Sequence, residues 1–338
     1  NVFGEWDKFN FRKINKIDLI TNRNLRNRKF KGFFNSRFLY FSIFFSSYFP
    51  LKKILIKDKP DFLIIHLITS LPILLFILNK FKTELILRIS GYPKLNFFRF
   101  LLWKIASSKI KYVICPTEET KNFLLKKNIF KRNQVIYIPD PILNIKQINN
   151  LKREKLETNF LKPFFLSVGR FTKQKNHIFL INFFSKNLQY LKDYKLIIIG
   201  HGELENYYKR VIKDRKLDKK IEILGYQKNI FKYLYNANCV ISCSLWEDPG
   251  FVMIETAHVG TPIISSDCPS GPKEFIGNNK NGFIFNSNDE GSFKQALDNF
   301  LISSRVSINE KLISAKKRSK LYTCFNNFKK LSNIIDEN

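Results

Sequence analysis

The sequence predicts an α/β protein of two doubly wound parallel-sheet lobes, and three observations carry that expectation. The first is length: 338 residues exceed what one hydrophobic core ordinarily organises. The second is rhythm, since short apolar and β-branched runs alternate with helical stretches, as in parallel strands joined by crossover helices. The third is a break from Asn144 to Asn159, where strand character gives way to Lys, Asn, Gln and Glu before Pro163. An interdomain linker is expected there, dividing the chain into residues 1–150, residues 160–315 and a helical tail over 316–338.

The opening segment, Asn1 to Lys31, begins with Asn and offers only a weak strand at Lys16 to Ile20. With no glycine-rich turn, it reads as a lobe whose first strand and loop are missing or replaced. Phe38 to Phe49 is aromatic and nearly uncharged between basic flanks; a core helix fits it better than a membrane-surface helix, the other reading. Strands are expected at Phe62–His66, Glu84–Ile89, Tyr112–Cys115 and Val135–Ile138. The apolar run Phe62 to Leu78 is near the lower length limit for a membrane span, yet it holds His66, Thr69, Ser70 and Pro72. A buried strand followed by a core helix accounts for it better. After the break come strands at Phe164–Val168, Lys195–Ile199, Ile221–Leu224, Cys239–Ser242 and Pro262–Ser265, enough for a doubly wound sheet. Ligands of such sheets lie beyond the carboxyl ends of the strands, so the residues after each run are the informative ones.

Composition narrows the class. Hydrophobic residues at 44% and charged residues at 25% are ordinary globular usage and exclude wholesale disorder or a membrane bundle. The 58 Lys and Arg against 28 Asp and Glu give a net charge of +30. Such a field attracts nucleic acid, acidic lipid or phosphorylated small molecules, although drift toward Lys-rich codons also produces it. Cys115, Cys239, Cys243, Cys268 and Cys324 are odd in number and lie mostly in apolar runs, as reduced thiols do. Cys239 and Cys243, roughly 13 Å apart along an extended strand, are beyond disulfide reach. No cationic-then-apolar leader opens the chain, so the expected location is cytoplasmic, with peripheral attachment to the inner face of the membrane as a further expectation.

Gly169-Arg170-Phe171-Thr172-Lys173-Gln174-Lys175-Asn176 follows the first strand of the second lobe and sets two cations, Arg170 and Lys175, beside a glycine. Arginine presents a planar fork to phosphate oxygens and lysine a point charge, which suits a diphosphate leaving group; a solvated basic loop is the plainer alternative. Gly200-His201-Gly202-Glu203 holds only a fragment of the dinucleotide fingerprint, since Glu205 occupies the third glycine's place. Gly225-Tyr226 suits backbone contact with, and stacking on, a base. Ser244-Leu245-Trp246-Glu247-Asp248-Pro249-Gly250-Phe251-Val252-Met253-Ile254-Glu255 is the strongest signal. Its turn feeds a helix whose first amides suit a phosphate or a sugar hydroxyl, with Glu255 aimed at the same place as an acceptor for ribose hydroxyls. A helix-dipole role for Glu255 and a surface role for Glu247 remain the bland alternatives. Ser266-Asp267-Cys268-Pro269-Ser270-Gly271-Pro272-Lys273-Glu274 adds a last polar loop.

Taken in order, Ser-Val-Gly-Arg-Phe with Gln-Lys-Asn, Gly-His-Gly-Glu, Leu-Gly-Tyr, Trp-Glu-Asp-Pro-Gly-Phe with Glu-Thr-Ala, and Gly-Pro-Lys-Glu-Phe resemble glycosyltransferase family 4 over residues 164–300. The resemblance implies a GT-B fold, two Rossmann-like lobes facing across a cleft, a nucleotide-sugar donor, no metal or other cofactor, and retention at the anomeric carbon. It implies that Arg170 and Lys175 hold the donor diphosphate, that Glu247 contacts the donor sugar and that Glu255 binds ribose. Gly169, Gly225, Tyr226 and the backbone of Pro249, Gly250, Phe251 and Val252 would complete the donor pocket. In the first lobe the likeness is looser and rests on Pro60-Asp61-Phe62 with His66, Arg88-Ile89-Ser90-Gly91-Tyr92, and Cys115-Pro116-Thr117-Glu118-Glu119-Thr120. No glycine-rich first loop is found, and Arg88 or Ser90 stands where relatives often carry a histidine. His66, Arg88, Ser90 and Tyr92 are the acceptor-side candidates.

The expected activity is transfer of a hexose or N-acetylhexosamine from a nucleotide-sugar, UDP before GDP, to a growing glycan or polyprenol-linked acceptor, with an anionic membrane surface as a further partner. A nucleic-acid-binding protein and a catalytically silent GT-B relative are the alternatives; charge alone motivates the former, and no specific nucleic acid is expected. If Arg170 acts only on donor, Arg170→Ala depresses turnover while a thermal melt stays cooperative; a collapsed melt would assign it a structural role.

Overall fold

The computed structural model describes Ile17, Leu19 and residues 33–156 and 163–336. The expected opening strand at Lys16–Ile20 lies outside that description as an element. The chain divides into two compact units. The first comprises residues 1–89, 94–114 and 124–136; the second comprises 90–93, 115–123 and 137–338.

In the first unit, helix α1 (Phe33–Lys57) precedes β1 (Phe62–His66), α2 (Ser70–Leu78), β2 (Glu84–Arg88), α3 (Phe97–Ala106) and β3 (Ile110–Cys115). Helix α4 (Glu118–Lys126) and β4 (Val135–Tyr137) follow, and the sheet runs in the order β1-β2-β3-β4. Both β1–β2 and β2–β3 pair in parallel, with His66 opposite Arg88 and Arg88 opposite Ile114 at the carboxyl ends. Leu85, Ile86 and Leu87 of β2 are all fully buried, as a strand covered on both faces requires. The run from Phe62 to Leu78 is the expected strand and core helix: Leu71, Ile73, Leu75 and Phe76 are buried, and Pro72 falls in the first turn, where no amide is needed. No helix among the described residues is long and apolar enough to cross a membrane. Helix α1 buries Ile43, Leu51 and Leu55, as the core reading expects, and leaves Phe41, Phe45 and Phe49 exposed.

The second unit contains α5 (Ile145–Leu151), β5 (Phe164–Val168), α6 (His177–Lys186), β6 (Lys195–Ile199), α7 (Glu205–Asp214), β7 (Ile221–Gly225) and α8 (Phe231–Asn236). It continues with β8 (Cys239–Ser242), α9 (Phe251–Val259), β9 (Ile263–Ser266), α10 (Gly271–Ile276), β10 (Phe283–Phe285), α11 (Glu290–Ile302), α12 (Arg305–Ser319) and α13 (Cys324–Asp336). Its six strands lie in the order β10-β9-β8-β5-β6-β7, all neighbours parallel. The order reverses between β5 and β8, so the loops after these two strands diverge and leave a crevice at their carboxyl ends. Successive residues of β5 feed opposite cores. Phe165 joins Phe184, Ile198 and Ile241 on one face, while Phe164 and Leu166 join Ile197, Val240 and Ile254 on the other.

Two differences from the expected elements have local causes. Part of the stretch read as linker is helical over Ile145–Leu151, because Asn144 caps the helix by accepting from the Gln147 amide at 3.2 Å and Ile148 is buried. The sixth strand, β10, is only three residues long and was not anticipated. All five cysteines are free thiols, four of them buried and Cys324 exposed.

Phe165 is fully buried, stacks on Tyr194 at 4.6 Å between ring centroids, and meets Phe184 and Phe300 edge-on, each at 6.4 Å. Phe165→Ala should therefore cost about 3–5 kcal/mol in urea unfolding of this unit, from lost transfer energy and the cavity left behind.

Candidate active site

The loop after β5 is pressed against the loop after β6. The Gly169 amide donates to the Ile199 carbonyl at 2.9 Å and the Phe171 amide to His201 at 2.8 Å. A Cβ on Gly200 would lie 1.8 Å from the Gly169 carbonyl oxygen, so only glycine permits this approach. Phe171, fully buried beneath the loop, anchors it in the core. Arg170, between these anchors, is exposed, and no carboxylate pairs with it among the described residues.

Lys175 differs. Its ammonium pairs with the Glu247 carboxylate, which also accepts from the Ser244 hydroxyl at 2.7 Å. Glu247 itself is buried. The backbone around Glu247 is held as firmly: its amide donates to Pro269 at 2.7 Å, and its carbonyl accepts from Ser270 at 2.6 Å. Leu245 donates to the Gln174 carbonyl at 2.8 Å, and the Gln174 side chain returns a bond to Trp246 at 2.8 Å. The loops after β5, β8 and β9 thus form one body at the crevice. Val168, Lys175, Ser242, Glu247, Gly250 and Met253 line a partly open pocket of about 20 Å³ at this crevice.

Gly250, at a φ of 93°, turns the chain into α9, and Phe251 and Val252 open that helix. Their amides face no intrahelical acceptor. Glu255, one turn on, is half-buried, and no side chain among the described residues hydrogen-bonds it. Burial pushes its carboxyl up to about 7. On the far side, Gly225 at a φ of 69° accepts from the Gly200 amide at 2.9 Å, and Tyr226, 70% exposed, meets His201 edge-on at 5.6 Å. An exposed ring against a fixed backbone is a stacking platform.

Of the acceptor-side candidates, His66 and Arg88 stand side by side at the ends of β1 and β2, in the first unit. Ser90 and Tyr92 group with the second, where Tyr92 packs on Phe123 at 4.9 Å. Burial raises the Tyr92 hydroxyl, with the negative charges of Glu119 and Asp248 adding to it. One residue given no role from the sequence is prominent here. The Asp248 carboxylate accepts from the Thr120 hydroxyl at 2.8 Å, and burial pushes it up to about 6 against the lowering effect of that bond. Nearby, Glu274 accepts from the Glu119 amide at 3.0 Å, satisfying one of the free donors that open α4. Both Thr120 and Asp248 belong to stretches singled out above, but nothing in their spacing joins them.

The structure adds a second role for Lys175, expected from the resemblance only to hold a donor diphosphate: it neutralises Glu247. Removing its side chain strands the buried Glu247 carboxylate, so Lys175→Ala should lower stability as well as turnover, unlike Arg170→Ala. Glu255 gives a test in pH. Its folded carboxyl keeps a proton to about 7, whereas an unfolded one releases it near the ordinary 4.5. The folded state thus binds the extra proton between those values; its stabilisation is complete below the lower one and is lost as pH rises through the higher. Glu255→Gln should flatten that part of the stability profile by roughly 1 kcal/mol, less than the whole shift because the group keeps a path to solvent. Melts of both proteins from about pH 4 to pH 8 read it directly.

The sequence profile of the glycosyl transferases group 1 family matches residues 149–319. An uncharacterized glycosyltransferase of Methanocaldococcus jannaschii is 32% identical over 249 residues, which are 68% of this chain and 61% of that protein. The Campylobacter jejuni N-acetylgalactosamine-N,N'-diacetylbacillosaminyl-diphospho-undecaprenol 4-alpha-N-acetylgalactosaminyltransferase is 30% identical over 178 residues, 52% of this chain and 46% of its own. The chain thus spans about half to three fifths of the length of these two relatives. Among solved structures, a Rickettsia africae glycosyltransferase superposes with a TM-score of 0.72 at 18% identity, over 88% of this chain and 81% of the other. Anabaena HepE in complex with UDP superposes with a TM-score of 0.67 at 13% identity, over 85% and 82%. These likenesses establish the fold as GT-B, two α/β units with parallel sheets. With its profile matched across half of its length and its strands in that architecture, the chain belongs to the glycosyl transferases group 1 family.

Proposed function

We propose that this chain transfers a hexose or N-acetylhexosamine from a UDP-sugar to a growing glycan on a lipid carrier, with retention at the anomeric carbon and without a metal. The observation that carries the reading is the convergence, beyond the carboxyl ends of β5 and β8, of Arg170, the Lys175–Glu247 pair, the first amides of α9 and Glu255. A nucleoside diphosphate-sugar has the complementary features: a diphosphate for the cations and amides, ribose hydroxyls for Glu255, a base for Tyr226 and a sugar for Glu247. Support also comes from HepE, solved with UDP, and from the C. jejuni relative, whose name specifies a diphospho-undecaprenol substrate.

In this reading the acceptor oxygen bonds to the anomeric carbon on the face from which the diphosphate departs. The carbon–oxygen bond to phosphate breaks, and the acceptor proton passes to a phosphate oxygen of the leaving group. Arg170 and Lys175 stabilise the charge that gathers there, and stabilising developing charge is the larger part of such catalysis. Glu247 exchanges its hold on Lys175 for the donor sugar as the diphosphate draws the ammonium away. The nucleic-acid reading gives none of these residues a task. A location at the inner face of the membrane belongs to the same proposal, since a lipid-linked acceptor is presented there.

The deciding measurement is the melting temperature with saturating UDP or GDP at fixed salt. A ligand bound only by the folded state at 100 times its Kd adds about 2.7 kcal/mol. A shift with UDP, smaller with GDP and lost in Glu255→Ala, is expected; no shift with either nucleotide would overturn the proposal.

A further inference from the structure

Helix α1 is divided lengthwise. Ile43, Ser47, Leu51 and Leu55, four residues apart, are all buried and form the line that packs on the first unit. Two positions away runs a second line with the same spacing: Phe41, Phe45 and Phe49, exposed at 64%, 70% and 74%, then Lys53 and Lys57. An exposed phenylalanine is unremarkable singly; three in register, continued by two lysines, form a stripe.

Helix α3 repeats the pattern. Trp103 and Ala106 are buried, while Phe97 and Phe98 at its start are 73% and 80% exposed, with Leu101 at 44% and Ile105 at 54%. Both helices pack on α2, and a recess of about 570 Å³ beside the middle of α1 is lined by Phe41, Phe44, Phe45, Leu67, Leu71 and Arg99. Phe41 and Phe45 of the first stripe thus share a recess with Arg99 of α3. Both helices carry basic residues and no acid, with Lys52, Lys53 and Lys57 in α1 and Arg99 and Lys104 in α3.

We propose that this face, Phe41, Phe45 and Phe49 of α1 with Phe97, Phe98 and Leu101 of α3, docks the protein on an anionic lipid bilayer. Aromatic rings suit the boundary between headgroups and acyl chains, and the surrounding lysines suit acidic headgroups. A protein partner fits less well, because protein interfaces are depleted in lysine. The face lies on the bilayer without crossing it, since neither helix is long and apolar enough to span one. Docking does not depend on the transfer chemistry proposed above, but gives it a place, since a lipid-linked acceptor is confined to the same surface.

Flotation of the full chain with vesicles tests it. Vesicles of phosphatidylcholine containing about 30% phosphatidylglycerol should carry the protein, and phosphatidylcholine alone should carry far less. Raising salt from about 0.1 M to about 0.5 M should weaken the binding several-fold, because the lysine contribution is screened. The double variant Phe45→Ser, Phe98→Ser should lose roughly tenfold in vesicle affinity. Phe325→Ser with Phe328→Ser, on exposed rings of α13 in the other unit, should lose nothing. Both variants should keep the wild-type melt, and any UDP shift should be unchanged in each, which separates a failure of docking from a failure of the donor site. Three outcomes would overturn the proposal: no binding to anionic vesicles, undiminished binding by the Phe45 and Phe98 variant, or light scattering that shows a dimer disrupted by that variant, which would assign the face to a second copy.

Discussion

The second unit's working end depends on how one buried glutamate is held. Glu247 donates and accepts through its backbone to Pro269 and Ser270, and its carboxylate takes both the Lys175 ammonium and the Ser244 hydroxyl. Three separate stretches of chain therefore share one anchor. A buried charge is tolerated only when its partners are in place, so the loops after β5, β8 and β9 must arrive together. The loop backbones that result are held in place before any ligand comes, and amides positioned in advance cost no reorganisation at the moment of reaction.

Around that anchor the acidic groups differ in partner. Glu247 meets a cation. Asp248 accepts from the Thr120 hydroxyl, and its carboxyl rises to about 6 because burial outweighs the hydrogen bond. Glu255 meets no side chain among the described residues and rises to about 7, burial being its sole cause. The three acids lie within nine residues of sequence yet occupy three electrostatic situations, the pattern expected where acids are assigned different tasks.

Much of this was legible in the sequence, for physical reasons. Five of the six strands of the second sheet were found at or within one residue of their ends, because strands buried on both faces read as continuous apolar runs bounded by glycine or polar turns. The rim loops were found because ligand residues of parallel sheets follow the strands directly. What escaped was short or distant. Strand β10 has three residues, too few to show a period, and the helix over Ile145–Leu151 was hidden by its Lys and Asn content. The pairing of Lys175 with Glu247 joins residues 72 positions apart, and that of Thr120 with Asp248 joins residues 128 apart. Local patterns say which residues are chemical; only the fold says which of them answer one another.

The second unit also has an unusual order in the chain. Cys115–Phe123 belongs to it, although β3 and β4 on either side are strands of the first sheet. The Glu119 amide finds Glu274 across 155 residues, and the Asn327 side chain donates to the Pro139 carbonyl across 188. Such contacts carry the entropy of closing very long loops, and they form only after the neighbouring strands have gathered. During synthesis the segment that begins this unit emerges long before the helix that completes it. The two cannot meet until α13 has left the ribosome, so a helix made late governs when a segment made about 200 residues earlier reaches its final place.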